Sequence, residues 1–344
     1  MESRPNRWSK TIDKNTDIIV RAMILFNASD QVGLGHFSRA LSLERYMQQK
    51  GVKCDLVHLG VLSESLYRRL KSFCAPFYQN FSVAIGSDDL MKLIAVDKFT
   101  HGLIDVSQNF DHDIWQIDRI FEGTILATFD DLTSFRKKAN LCFYPPITNL
   151  SELDWNNYSG KIFSGFEYYI YRPELDEYTR RSSLNPEYDI CITCGGANNA
   201  SLTERILDIL RSCSFNKVLV ILGPMSNFEY DETKLSNVEV VVSPENYIEL
   251  IIKSRLIINT YGVSVFELFY LNKDAIAICL EADHTESAKM FSIIKNLSFI
   301  DISEVDDRLL NLANEKINEQ NENRNSKPKF SLNEQIYLEL KRAS

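Results

Sequence analysis

The sequence contains no apolar run long enough to cross a bilayer. Its longest apolar runs, such as residues 217–223 and 255–258, are far shorter than the roughly 20 residues that a transmembrane helix needs. The charged residues 1–17, which we expect to form a disordered tail, are not followed by the continuous apolar stretch of a signal peptide. We therefore expect a cytoplasmic protein without a membrane span.

An excess of positive charge is also missing. The chain carries a formal net charge of −9, whereas a broad nucleic-acid surface needs clustered Lys and Arg side chains to displace counterions from phosphates. We therefore expect no nucleic-acid partner. A small anionic ligand is still compatible with this charge, because backbone amides and helix ends can hold it locally.

The seven cysteines show no spacing that indicates disulfides or a metal site. Cys191 and Cys194 form a C-x-x-C motif, but they lie in a run typical of a buried strand, where this spacing places the two side chains on opposite faces. No second Cys/His pair completes a zinc set. The pair Asp130-Asp131 is typical of a turn and helix cap rather than of a metal site. We predict reduced thiols and neither metal nor cofactor.

Length and composition indicate two soluble domains, since the chain has 344 residues with 44% apolar and 25% charged residues. Residues 18–26 predict a strand, 38–50 a helix and 52–59 a second strand, which together form a βαβ unit. A second series of this kind begins at Asp189. We predict two α/β, Rossmann-like domains with parallel sheets. They cover residues 18–160 and 161–312, and a polar linker and terminal helix follow at 313–344.

The remaining elements are predicted from apolar residues at helical spacing or from short apolar runs. The predicted helices are 63–73, 87–95, 201–213, 246–253, 262–270, 286–295 and 330–340. The predicted strands are 102–105, 124–129, 141–144, 189–193, 218–222, 238–242, 255–259 and 275–280.

Three loops follow predicted strands at the edge of a parallel sheet where ligands bind, because such loops lead into helices whose first amides are unpaired. These loops are residues 27–39, 194–199 and 259–267. In the first, Gly33 and Gly35 allow the backbone to approach a ligand, and His36 lies at or near the helix start. An imidazole there can accept a proton from water or a hydroxyl at neutral pH. The alternative is that His36 only caps the helix and the glycines form a tight turn.

The other two loops would present helix N-terminal amides to a phosphate, with Ser264 as a further hydroxyl donor. Glu267 lies one turn into the third helix. Its carboxylate either complements the helix dipole or accepts hydrogen bonds from ribose hydroxyls, and spacing leaves both interpretations open. His284 is predicted in a loop that opens onto the cleft. The histidines predicted to be structural or solvated are His58, His101 and His112.

Together, the three loops resemble the UDP-sugar hydrolase family of the pseudaminic acid pathway (PseG/SpsG-like), which is itself similar to MurG-type GT-B glycosyltransferases. The resemblance covers most of the chain in order and spacing. Its matching segments are the G-x-G-H-x-x-R motif within residues 30–39, Ile104-Asp105, 129–132, 165–169, 194–198 with Leu202-Thr203, and 262–267.

The resemblance implies a GT-B-like fold, in which the parallel sheets of the two domains face each other across a cleft, and a reaction that needs no metal. It implies that water attacks the anomeric carbon and that UDP departs, with His36 as the catalytic base. The implied substrate-binding residues on the sugar side are Gly33, Gly35, Arg39, Asp105 and His284. The implied nucleotide-binding residues are Gly195, Gly196, Asn198, Gly262, Val263, Ser264 and Glu267.

The sequence departs from the family pattern in three segments. Ala197-Asn198 replace a frequent Ser-Asp pair, Val263 replaces a threonine, and His284-Thr285 replace an Asn-Gln pair. A different sugar, or a sugar acceptor in place of water, fits these changes. We predict a hydrolase that releases UDP from an amino or deoxy nucleotide sugar in surface-polysaccharide or nonulosonic acid biosynthesis. The alternatives are a GT-B glycosyltransferase with a UDP-sugar donor and a catalytically silent sugar-nucleotide-binding module.

Overall fold

A computed structural model describes most of the chain from residue 21 to residue 343. The residues outside this description are 1–20, 30–31, 33, 75–80, 97, 181–184, 195–198, 212–214, 224–225, 227, 229–236, 290, 292–293, 319–329 and 344. The predicted tail at 1–17 lies outside the described residues.

Within the described residues, the first domain contains a parallel sheet with the strand order β3-β2-β1-β4-β5-β6-β7. Its strands are β1 (Arg21–Phe26), β2 (Lys53–Leu59), β3 (Phe81–Ala84), β4 (His101–Asp105), β5 (Ile125–Phe129), β6 (Leu141–Tyr144) and β7 (Lys161–Ser164). The central strands β1 and β4 are buried along almost their whole length. This burial explains their continuous apolar runs, since a parallel strand is covered by helices on both faces.

The helices of the first domain connect these strands. They are α1 (Gly35–Gln49), α2 (Glu64–Cys74), α3 (Ser87–Val96), α4 (His112–Trp115) and α5 (Ile117–Ile120). The helix α1 buries Phe37, Ala40, Leu43 and Met47 in the core beneath β1, at the three- and four-residue spacing of an amphipathic helix. It begins three residues before the predicted start at residue 38, which places His36 in its first turn.

The second domain contains another parallel sheet, with the strand order β10-β9-β8-β11-β12-β13 among the described residues. Its strands are β8 (Tyr188–Thr193), β9 (Val218–Leu222), β10 (Val238–Val242), β11 (Ser254–Thr260), β12 (Asp274–Cys279) and β13 (Leu297–Asp301). The helices from here to the C-terminus are α6 (Leu175–Arg180), α7 (Ala200–Leu210), α8 (Tyr247–Ile252), α9 (Val263–Tyr270), α10 (Ala282–Lys289), α11 (Val305–Asn318) and α12 (Glu334–Ala343). Cys191 and Cys194 pack into different core clusters, as their predicted placement on opposite faces requires.

One prediction for the region after β12 was wrong. The helix predicted at 286–295 is α10, which begins four residues earlier and includes His284, so this histidine is not in a loop. The helix begins early because the carbonyl of Glu281 accepts hydrogen bonds from the backbone N–H groups of His284 (3.1 Å) and Thr285 (3.3 Å). The described helix α11 ends at Asn318, within the polar segment 313–329, and the rest of that segment lies outside the described residues.

The terminal helix α12 packs on the first domain. Its residues Ile336 and Leu340 are buried in the same core cluster as β1 and α1, and Nε2 of the buried His101 lies 3.1 Å from the carbonyl oxygen of Leu340. Just before α12, the side chain of Asn333 bonds to both backbone groups of Tyr171, at 2.9 and 2.8 Å. The C-terminus therefore ties the connection between the two domains to the first domain.

Candidate functional site

The carboxyl ends of β1, β4 and β5 lie side by side in the first sheet. Phe26 at the end of β1 pairs with Asp105 at the end of β4, and Asp130 directly follows β5. The loop after β1 leads to His36 at the start of α1. This edge therefore collects a histidine and two carboxylates from distant parts of the sequence, as expected for ligand sites of parallel α/β sheets.

His36, Arg39 and Asp105 form one hydrogen-bonded group. Nδ1 of His36 lies 2.7 Å from Oδ1 of Asp105. The guanidinium of Arg39 donates to both oxygens of the same carboxylate, from Nε to Oδ2 at 2.8 Å and from Nη2 to Oδ1 at 2.5 Å. The three-residue spacing of His36 and Arg39 places both on one face of α1. Asp105 thus holds the two side chains at fixed positions.

Electrostatics keep this carboxylate ionised. Asp105 is 1% exposed, and burial alone would raise its pKa. The charges and hydrogen bonds of Arg39 and His36 outweigh burial and lower the pKa of Asp105 below its ordinary value. Nδ1 of His36 lies 2.7 Å from the ionised Asp105 and 3.0 Å from Nη2 of Arg39. The shorter contact is to an oxygen that can only accept, so it requires the ring proton on Nδ1 and leaves the lone pair of the neutral ring on Nε2. His36 is therefore arranged as a base whose tautomer is set by Asp105.

Asp130 is a further site residue that the sequence analysis interpreted as part of a turn. Its neighbour Asp131 does have that role, because Oδ1 of Asp131 accepts hydrogen bonds from the backbone N–H (2.8 Å) and hydroxyl (2.7 Å) of Thr133. The half-buried Asp130 instead lies within electrostatic reach of Arg39, Asp105 and His36. Its position one residue after a strand was the signal that could have identified it.

The start of α9 lies opposite α1 on the second domain. A Cβ atom added to Gly35 would lie 3.7 Å from Cγ2 of Val263, so the first and third predicted loops meet. Gly262 precedes α9 with φ 157° and ψ −157°, a conformation that essentially only glycine adopts. Two residues after Gly262, the hydroxyl oxygen of Ser264 accepts a hydrogen bond from Nδ2 of Asn259 at 3.0 Å.

Glu267 is buried in α9 and paired with Arg172 of the connection between the domains. Oε1 of Glu267 lies 2.7 Å from Nε of Arg172, and the side chains are 5% and 39% exposed. Burial raises the pKa of Glu267 although Arg172 opposes that change. One carboxylate oxygen of Glu267 therefore contacts a protein cation, and binding to ribose hydroxyls stays a prediction for the other.

Tyr169, which the sequence analysis did not select individually, lies between the two halves of the site. Its ring stacks on Phe266 of α9, with the centroids 3.9 Å apart and the planes 9° from parallel. Its hydroxyl experiences the charges of Arg39, Asp105 and Asp130 from the first domain and of Glu267 from the second. The connection thus brings both sets of charged groups near one buried side chain.

The remaining predicted site residues are only partly described. His284 is half-buried in α10, and its ring centroid lies 5.1 Å from that of Tyr261, directly before Gly262. The predicted residues Gly33, Gly195, Gly196 and Asn198 lie outside the described residues. In the described part of the chain, no group of three or more His, Cys, Asp or Glu residues is arranged to hold a metal ion. No described helix is both long enough and apolar enough to span a membrane.

No family model matches the chain. The sequence is 24% identical over 277 residues to the uncharacterized protein MJ1062 of Methanocaldococcus jannaschii, and the alignment covers 73% of this chain and 54% of that protein. The chain thus spans about half the length of the curated relative that it matches.

Solved structures are more informative about the fold. MurG of Acinetobacter baumannii has a TM-score of 0.57 and 16% identity, with 94% of this chain and 100% of that chain covered. The UDP-GlcNAc 2-epimerase of Methanocaldococcus jannaschii, in complex with UDP-GlcNAc and UDP, has a TM-score of 0.58 and 13% identity, with the same coverage. These similarities confirm the predicted GT-B-like fold with two parallel-sheet α/β domains. At such low identity they establish the fold alone.

Proposed function

We propose that the protein is an enzyme that cleaves a UDP-sugar at the anomeric carbon, with His36 as the general base. The observation that carries this proposal is the group formed by His36, Arg39 and Asp105, which lies close to the start of α9, since a Cβ on Gly35 would lie 3.7 Å from Cγ2 of Val263. A histidine oriented by a buried carboxylate is suited to removing a proton from an attacking hydroxyl. The UDP ligands of the structurally similar epimerase support the choice of nucleotide.

In the proposed reaction, Nε2 of His36 accepts a proton from water while the water oxygen forms a bond to the anomeric carbon. The bond between that carbon and the diphosphate oxygen breaks, and UDP leaves with the electron pair. Asp105 stabilises the imidazolium that forms, because its carboxylate remains ionised next to Nδ1. The products are UDP and the free sugar.

The second domain would hold the nucleotide. The unpaired amides at the start of α9 can bind a diphosphate, and a Cβ on Gly262 would have no described atom within 4 Å. We therefore assign the diphosphate to Gly262, Val263 and Ser264. We keep the glycine loop at Gly195, Gly196 and Asn198 as a second predicted contact, and Gly33, Gly35 and His284 as predicted contacts on the sugar side.

A glycosyltransferase reaction uses the same atoms, with an acceptor hydroxyl in place of water. The structural similarity to MurG and to Arabidopsis thaliana UGT89C1 complexed with UDP-L-rhamnose favours this second candidate. Both reactions need a base and a held diphosphate, so the two candidates differ in the acceptor and share the proposed roles of the residues above.

The test is UDP release from a panel of UDP-sugars, with and without candidate acceptors, by the wild type and by His36→Ala. Release without an acceptor supports the hydrolase, and release only with one supports the transferase. We expect His36→Ala to reduce the rate by about 10²- to 10⁴-fold, the usual contribution of a general base. Calorimetry should show unchanged UDP affinity. Full activity of His36→Ala would eliminate the proposed base, and binding without release would support the silent binding module.

A further inference from the structure

Asp130 has an unusual backbone that the surrounding structure holds in place. Its φ angle is 53°, in the left-handed region that residues other than glycine rarely adopt. Its N–H donates to the carbonyl of Phe143 at 2.8 Å, and its carbonyl accepts from Nε2 of Gln108 at 2.5 Å. Such a conformation persists only where neighbouring contacts determine it, and it occurs often at functional sites.

The two carboxylate oxygens of Asp130 differ in their hydrogen bonds to the described residues. Oδ1 accepts a hydrogen bond from the hydroxyl of Thr148 at 2.9 Å. Among the described residues, no hydrogen bond to Oδ2 is observed. The residue is half-buried rather than enclosed, so a ligand in the cleft can reach this carboxylate.

The sheet order places Asp130 beside the group of His36, Arg39 and Asp105, because it directly follows β5, the neighbour of β4. Arg39, Asp105 and His36 act on it from the first domain, and its own charge acts on Tyr261 of the second domain. The Arg39 guanidinium is already bonded to both oxygens of Asp105. Among the described residues, no Lys or Arg side chain forms an ion pair with Asp130 beside this group.

The chemistry of a carboxylate restricts the group that it can bind there. Burial raises the pKa of Asp130, which shows that its charge is incompletely solvated. A diphosphate would be repelled, whereas a hydroxyl or N–H group would form a charge-assisted hydrogen bond. In a UDP-sugar whose diphosphate is at α9, the part that carries such donors and can lie beside His36 is the sugar.

We propose that Asp130 is a specificity-determining residue whose Oδ2 accepts a hydrogen bond from a hydroxyl or N–H group of the sugar. This inference rests on the proposed function of the same cleft. Thr148 and the backbone contacts of Asp130 hold the carboxylate in one position, so a sugar that lacks the donor at the matching position leaves the carboxylate unpaired. A site built around a polar partner rejects such analogues strongly.

The decisive variant is Asp130→Asn, in which the amide oxygen can keep the Thr148 bond while an NH₂ group replaces Oδ2. We expect the KM of the preferred UDP-sugar to rise by about 10- to 100-fold, the effect of losing one hydrogen bond to a charged group. The Kd for UDP should change by less than about twofold, because the nucleotide binds on the other domain. Asp113→Asn is the matched control, since the Asp113 side chain is 89% exposed at the start of α4, whereas Asp130 is half-buried at the proposed site.

A panel of deoxy and amino UDP-sugars supplies the second readout. The wild type should discriminate between sugars with and without the matching donor, and Asp130→Asn should lose most of that discrimination. Unchanged KM and selectivity in Asp130→Asn would overturn the inference, as would an equal loss of affinity for UDP alone. A reduced kcat with an altered pH profile and an unchanged KM would also overturn it, since that result indicates proton transfer.

Failure of the proposed function can be told apart from failure of this inference. If the wild type releases UDP from no sugar in the panel, the enzyme proposal fails. Calorimetry with intact UDP-sugars then still measures whether Asp130→Asn weakens sugar binding relative to UDP binding. Thr148→Val should change the same affinity in the same direction by a smaller factor, because it removes only the hydrogen bond that positions Oδ1.

Discussion

Replacing Asp105 by asparagine removes the charge that holds His36 and Arg39 together. The carboxylate accepts hydrogen bonds from both side chains and is 1% exposed, while the Arg39 side chain is 13% exposed. Removing one member of a buried ion pair costs about 3–5 kcal/mol, because the remaining charge stays buried without its partner. Asparagine can still accept one hydrogen bond from Arg39, so we expect a loss near the lower value, about 3 kcal/mol.

The same substitution should impair the proposed reaction. An asparagine cannot balance the charge of a protonated His36, and its NH₂ group can favour the tautomer with the proton on Nε2. We therefore expect kcat for UDP release to fall by about 10²- to 10⁴-fold, the contribution of a general base. The measurements are urea unfolding followed by circular dichroism and UDP release under saturating substrate.

A double variant separates the two effects of Asp105. Asp105→Leu combined with Arg39→Met removes both charges and should recover much of the unfolding free energy, because two apolar side chains of similar volume replace a buried ion pair. It should not recover UDP release. The reasoning is refuted if Asp105→Asn unfolds within about 0.5 kcal/mol of the wild type, the range of ordinary surface substitutions, and keeps the wild-type kcat.

Two further predictions concern the backbone before α9 and the docking of α12. Gly262→Ala should lower the unfolding free energy by about 1–3 kcal/mol and weaken UDP binding, because alanine is strained at φ 157° although nothing described lies within 4 Å of its Cβ. Gly86→Ala, also without such neighbours and without a positive φ, is the control and should be neutral; equal effects of the two variants would contradict the argument. For His101, burial lowers the pKa in the folded state. As pH falls below about 6.5, the unfolded state therefore binds more protons than the folded state, and the wild type loses stability. His101→Gln lacks this titration, so the difference in unfolding free energy between wild type and variant should shrink from pH 7.5 towards pH 5, by up to about 1.4 kcal/mol per pH unit. Urea unfolding at several pH values measures this difference. A difference that stays constant would show that His101 does not titrate in this range.

Much of the fold could be predicted because buried parallel strands and amphipathic helices have distinct patterns. The strands β6, β9 and β10 have the predicted bounds, since apolar residues fill every position except Glu239 and turn-forming residues lie next to each strand. Of the four edge strands, β10 was predicted, whereas β3, β7 and β13 were not. β7 (Lys161–Ser164) has exposed residues at three of its four positions, so no apolar run marks it, and its pairing with β6 decides that it is a strand.

The candidate site shows the same division. The position of His36 near a helix start followed from the order of strand, glycine-containing loop and helix. The link between His36 and Asp105, which are 69 residues apart, depends on the pairing of β1 with β4, and single-sequence patterns do not specify which strands pair. Sequence analysis therefore assigned Asp105 and Arg39 to the sugar, whereas the structure bonds them to each other and to His36; direct contact with the sugar stays a prediction.

Local sequence by itself determined which segments become buried strands and amphipathic helices, because those preferences depend on neighbouring residues. Only the tertiary structure decided which strand ends meet and which carboxylate orients His36. It also decided that Asp130, whose φ angle lies in the left-handed region, is close to His36, Arg39 and Asp105, while Asp131 caps a turn. These outcomes depend on contacts between residues far apart in the chain, whose energies arise only when the sheets assemble and exclude water from the charged groups between them.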